Sequence, residues 1–65
     1  MYENLRVELY RKRISYKKLG KLLNLCENSV YNKINGKTPF FLEEAIKIHG
    51  SYFPEFSFLE LFKKN

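Results

Sequence analysis

The sequence predicts an all-α fold, a compact bundle of about five short helices, from three observations. Apolar residues recur every three or four positions: Tyr2, Leu5 and Leu9; Leu19, Leu22 and Leu23; Val30 and Ile34; Leu42, Ala45 and Ile46, with His49 on the same face. Residues that end helices follow these stripes at Asn24, Gly36 and Gly50, because Asn and Gly adopt the left-handed backbone conformation at least cost. Residues that start helices precede others: Ser15 is a good N-cap, and Ser57-Phe58-Leu59-Glu60 is a capping box.

Taken in order, Tyr2, Leu5 and Leu9 mark the inner face of a first helix, with Glu3 near its positive end and Arg11 to Arg13 near its negative end, both signs suiting the helix dipole. Ile14 closes the link to a second helix begun by Ser15. A third helix is expected from about Glu27 to Asn35, facing inward through Val30 and Ile34 and stopped by Gly36. A fourth follows the 36–39 turn, with Leu42, Ala45, Ile46 and His49 on one face, Glu43 and Glu44 in its first turn, and Gly50 at its end. Phe40 and Phe41 are expected to feed the core. A short last helix begins at Ser57.

With 65 residues, the chain is expected to form one domain, 1–65, with one small core, because a domain of this size buries only about 60% of its unfolded surface. A composition 45% hydrophobic and 29% charged suits a folded soluble protein. No apolar run approaches the ~20 residues that cross a bilayer, and the Met1 end lacks a signal-peptide apolar region, so the expected location is cytoplasmic. One Cys cannot form an internal disulfide, and one Cys with one His falls short of a zinc ligand set, so neither metal nor cofactor is expected.

The net charge of +5 is unevenly spread. Arg11, Lys12, Arg13, Lys17, Lys18 and Lys21 form a run without an anion, whereas 43–60 holds four acids against Lys47. Such a run is either a solvated face or the footprint of a polyanion.

The stretch 16–36 has the build of a helix-turn-helix: two short amphipathic helices, Asn24 turning the chain between them, and Gly20 allowing close approach at their crossing. At these residues the chain resembles the lambda-repressor and Cro-like helix-turn-helix family of phage and bacterial regulators. That family's apolar-then-small pair falls on Leu19 and Gly20, its turn and next apolar residue on Asn24 and Leu25, and its buried second-helix residue on Val30. The segment NKINGKTPFFLEEAIKI is also similar to repressors of phages from low-GC Gram-positive hosts. The resemblance spans roughly 4–62 and implies operator DNA as partner and transcriptional regulation as function. It departs from the pattern at Tyr16, where relatives carry a phosphate-contacting Gln or Thr, at Asn24, usually Gly, and at Cys26, usually a capping Ser or Thr. Relatives also commonly hold an Arg–Glu ion pair where Leu9 and Ile34 stand here, and Gly where Arg13 stands.

The outward face of the third helix carries Glu27, Asn28, Tyr31, Asn32 and Asn35. An Asn bonds bidentately to the N6 and N7 edge of adenine and a Glu accepts from cytosine N4, though the same residues also suit an ordinary polar surface, and Glu27 also favours a helix N-terminus. Lys33 and Lys37 flank the helix end and are expected to grip the DNA backbone. With Tyr16, Lys17 and Ser29 beside them, these residues are the expected DNA-binding set. Cys26 reads as a small half-buried cap, and His49 as a helix-end residue, since Ser51 and Ser57 lack the base and oxyanion donor a nucleophile needs; no enzyme is expected.

The tail is rich in rings: Tyr52, Phe53, Phe56, Phe58 and Phe62. Either they fold back as a lid on the core, or the surplus marks a homodimer interface. The alternative to DNA binding is a protein-binding modulator of a repressor, or an antitoxin, on the same fold. Salt separates them, since duplex binding weakens steeply with it and docking through apolar rings does not.

Overall fold

In a computed structural model, which describes residues 1–64, the described residues form five helices and no strand: α1 (Glu3–Arg11), α2 (Tyr16–Leu23), α3 (Glu27–Ile34), α4 (Leu42–Tyr52) and α5 (Phe58–Leu61). The core is drawn from all of them. Leu5, Leu9, Leu19, Val30, Ile34, Ile48 and Phe53 are each at most 1% exposed, with Ile14, Leu23, Ala45 and Leu61 around them. Leu9 and Ile34 lie together in this apolar cluster, where replacing an ion pair by hydrocarbon is commonly neutral or favourable. None of the helices is long and apolar enough to cross a membrane among the described residues.

The helix ends are built locally. The Ser15 side chain accepts from the Lys18 N–H at 3.0 Å, opening α2. Asn24 closes it in the left-handed conformation, φ 59° and ψ 44°. Gly36, at φ 83°, follows α3 in a Schellman arrangement, in which the Lys37 N–H reaches Asn32 O at 2.9 Å and the Gly36 N–H reaches Lys33 O at 3.2 Å. α1 ends the same way, with Ile14 N–H to Leu9 O at 2.9 Å and Arg13 N–H to Tyr10 O at 3.0 Å, but here the left-handed position is Arg13, φ 57°. A side chain at that φ costs about 1–2 kcal/mol, of which glycine's extra chain entropy returns about 0.5–1. Arg13→Gly is therefore expected to stabilise the fold by about 0.5–1 kcal/mol, read as a raised urea midpoint. A lowered midpoint would mean that the arginine side chain contributes more than its backbone loses.

The fourth helix differs from expectation in phase and length. Its inner face is Ala45 and Ile48, with Tyr52 half-buried one turn on, whereas Leu42 and Ile46 are 68% and 55% exposed. Gly50 does not stop it; the helix runs on to Tyr52 and is closed by Phe53. Two apolar stripes, 42–46 and 45–48–52, compete in this segment, and reading Gly50 as a stop hides the second. Phe40 is half-buried as expected, but Phe41 is 64% exposed.

The aromatic tail folds back on the core. Phe53 is fully buried, which removes it from any dimer interface; its ring meets Phe56 at 5.8 Å. Phe62 lies edge-on to Tyr2 at 6.2 Å and to Phe40 at 5.7 Å, and Phe58 packs on Phe62 at 5.1 Å. Tyr52, Phe56, Phe58 and Phe62 are half-buried within the chain. Lys12 fastens this tail to α1: its Nζ donates to Tyr52 O at 2.5 Å, pairs with Glu55 at 2.6 Å and stands 4.8 Å from the centre of the Phe53 ring. The same ammonium holds the Glu55 carboxyl below its usual pKa.

Candidate nucleic-acid interface

The site rests on the junction of α2 and α3. Only residues 24–26 separate them, and the Leu25 N–H donates to Gly20 O at 2.8 Å, folding the link against α2. A Cβ at Gly20 would lie 2.5 Å from Leu25 O and 3.5 Å from Val30 Cγ2, so the close approach requires glycine. Val30 and Ile34, fully buried, fix the rotation of α3 about its axis and turn the opposite face to solvent.

That face carries Glu27, Asn28 and Tyr31, all exposed. The side chains of Glu27 and Asn28 make no hydrogen bond or ion pair among the described residues. Tyr16, the first residue of α2, leans on Tyr31 with ring centres 6.3 Å apart, and burial pushes its phenol up from the ordinary tyrosine value. These four residues line one shallow groove. Arg6, Tyr10, Ser15 and Tyr16 line another beside it. Arg6 and Tyr10 stand four residues apart on the polar side of α1; Arg6 also pairs with Glu3 at 2.5 Å.

The remaining expected contacts divide. Lys17 and Lys37 are exposed. Asn32 is half-buried. Asn35 turns its amide back to donate to Tyr31 O at 2.9 Å. Ser29 is half-buried and its hydroxyl lies 3.2 Å from Cys26 Sγ. Cys26 is exposed, not half-buried, and its side chain makes no cap bond; the Ser29 hydroxyl beside it holds the thiol below the usual value.

Lys33 is the clear correction. Only 8% exposed, it donates to Pro39 O at 2.9 Å and pairs with Glu44 Oε1 at 3.1 Å, with the Phe41 ring 4.6 Å from its Nζ. Glu44 accepts in turn from the Phe41 N–H at 2.9 Å. The ammonium therefore ties α3 to the start of α4 and is withdrawn from any external anion. The basic run loses Lys12 to Glu55 in the same way, and Arg11 lies 3.9 Å from Glu8. Arg13, Lys17, Lys18 and Lys21 remain exposed and without a carboxylate partner among the described residues.

Compared with known protein families, curated proteins and solved structures, the chain matches none.

Proposed function

We propose that this chain binds double-stranded DNA sequence-specifically, α2 and α3 acting as a helix-turn-helix with α3 in the major groove, and serves as a repressor-like transcriptional regulator. The observation that carries the reading is the unspent face of α3. Glu27 and Asn28 stand exposed with no side-chain hydrogen bond among the described residues, beside Tyr31 and Tyr16. A surface of acceptors and donors at helical spacing matches base edges in a groove about 12 Å wide, which admits one helix. Lys17 and Lys21, one turn apart on α2, supply cations for phosphate.

The experiment is selection from random duplexes followed by titration of the selected and a scrambled duplex. Asn28→Ala is expected to cost about 1–3 kcal/mol of discrimination between them, as for one lost bidentate base contact. Lys17→Ala and Lys21→Ala are expected to weaken both duplexes alike. Equal losses on both duplexes for Asn28→Ala would remove base readout from that residue, and a failure to enrich any sequence would remove the DNA reading itself.

A further inference from the structure

We propose that the outer face of α4 is a contact between two copies of this chain, paired antiparallel about Ile46. Leu42, Ile46 and Gly50 follow at four-residue spacing and so form one ridge of the helix, about 12 Å long at ~1.5 Å per residue. The folded chain makes no use of it. Leu42 and Ile46 are 68% and 55% exposed, and a Cβ at Gly50 would meet nothing within 4 Å. The opposite face of the same helix, Ala45 and Ile48, already fills the core. The ridge is bordered on one side by His49, half-buried against Phe58 with ring centres 5.6 Å apart.

A second copy fits this surface because the ridge complements itself. Leu42 is a knob at one end and Gly50 a notch at the other. An antiparallel two-fold seats each Leu42 over the other copy's Gly50, with the two Ile46 side chains meeting at the axis, which is the isologous contact of a closed dimer. Glu43 and Lys47 edge the ridge, both exposed and without an ion-pair partner among the described residues. The two-fold brings the Glu43 of each copy toward the Lys47 of the other. A strongly acidic or basic partner would find no matching charge on so balanced an edge. One helix face is a small interface, so the association belongs in the weak, micromolar class.

The test is sedimentation equilibrium of the full chain, without DNA, up to high micromolar concentration, which keeps it separate from the DNA-binding proposal. A monomer–dimer equilibrium is expected. Ile46→Glu, which buries a charge at the axis, and Gly50→Leu, which fills the notch, should each weaken it by about tenfold or more. Both positions are exposed, and circular dichroism checks that the helices persist; Gly50→Leu should raise the melting temperature while it weakens the dimer, which a loss of fold cannot imitate. Leu59→Glu, at a site 81% exposed on α5, should leave the constant unchanged. A chain that stays monomeric throughout overturns the proposal, as does a dimer that Leu59→Glu separates and Ile46→Glu does not.

Discussion

Phe53→Ala is expected to destabilise the domain by about 3–5 kcal/mol, the range for deleting a fully buried aromatic ring. No other fully buried side chain among the described residues is as large, and it sits at the seam where α4 ends and the tail turns back. Removing the ring takes away the partner of Phe56 at 5.8 Å and the nearer of the two ring faces against which the Lys12 ammonium rests, at 4.8 Å, leaving that cation with Tyr52 O, Glu55 and the Phe56 ring at 5.8 Å. Small domains hold only about 5 kcal/mol in reserve, at the low end of the ordinary range. The variant should therefore be largely unfolded at room temperature in urea titrations that leave the parent folded. Phe53→Leu, which keeps most of the apolar volume, should lose much less. A Phe53→Ala chain that melts within a few degrees of the parent would place the core elsewhere.

Two glycines on two helices should respond with opposite signs. Gly→Ala inside a helix ordinarily gains about 0.5–1 kcal/mol, because alanine loses less chain entropy. Gly50→Ala should show that gain, since a methyl there points into open space. Gly20→Ala should lose about 1–3 kcal/mol, the usual cost of overpacking. Its methyl would stand 2.5 Å from Leu25 O, a backbone atom that cannot retreat without straining the Leu25 N–H to Gly20 O bond of 2.8 Å. Relief comes only by moving α3 away from α2, which drags the Glu27 and Asn28 face out of position. Thermal melts of the two variants beside the parent decide the matter. A stabilised Gly20→Ala would show that the turn yields more readily than this geometry allows.

Much of this arrangement is legible before folding, for a physical reason. Ser15, Asn24 and Gly36 act on backbone groups within five residues, so their roles are written in their immediate neighbourhood. The same holds for the stripes Leu5–Leu9 and Val30–Ile34, both of which lie in the core. Lys33 is different. Its partners, Pro39 and Glu44, come from a loop and the next helix, and nothing in 27–35 distinguishes an inward lysine from an outward one. Lys12 likewise joins Glu55 across 43 positions of sequence. The tail rings read equally as lid or interface because that choice depends on Tyr2 and Phe40, which only the closed fold brings to Phe62. Of the five residues expected on the outward face of α3, Glu27, Asn28 and Tyr31 are exposed because Val30 and Ile34 are buried opposite them, whereas Asn32 and Asn35 are half-buried.

The ring cluster of Tyr2, Phe40 and Phe62, with the Asn4 amide donating to Glu60 O at 2.8 Å, joins the two ends of the described chain. Loop-closure entropy grows only with the logarithm of length, about 0.6 kcal/mol per doubling, so a seam between residues 56 apart costs little more than one a quarter as long. Time is another matter: α2 and α3 can meet across a three-residue link long before the ends find each other. Contact topology thus favours assembly outward from the middle of the chain. Local opening runs the opposite way, since parting the ends exposes rings that are already half in water, while parting α2 from α3 exposes Leu19 and Val30, which are not.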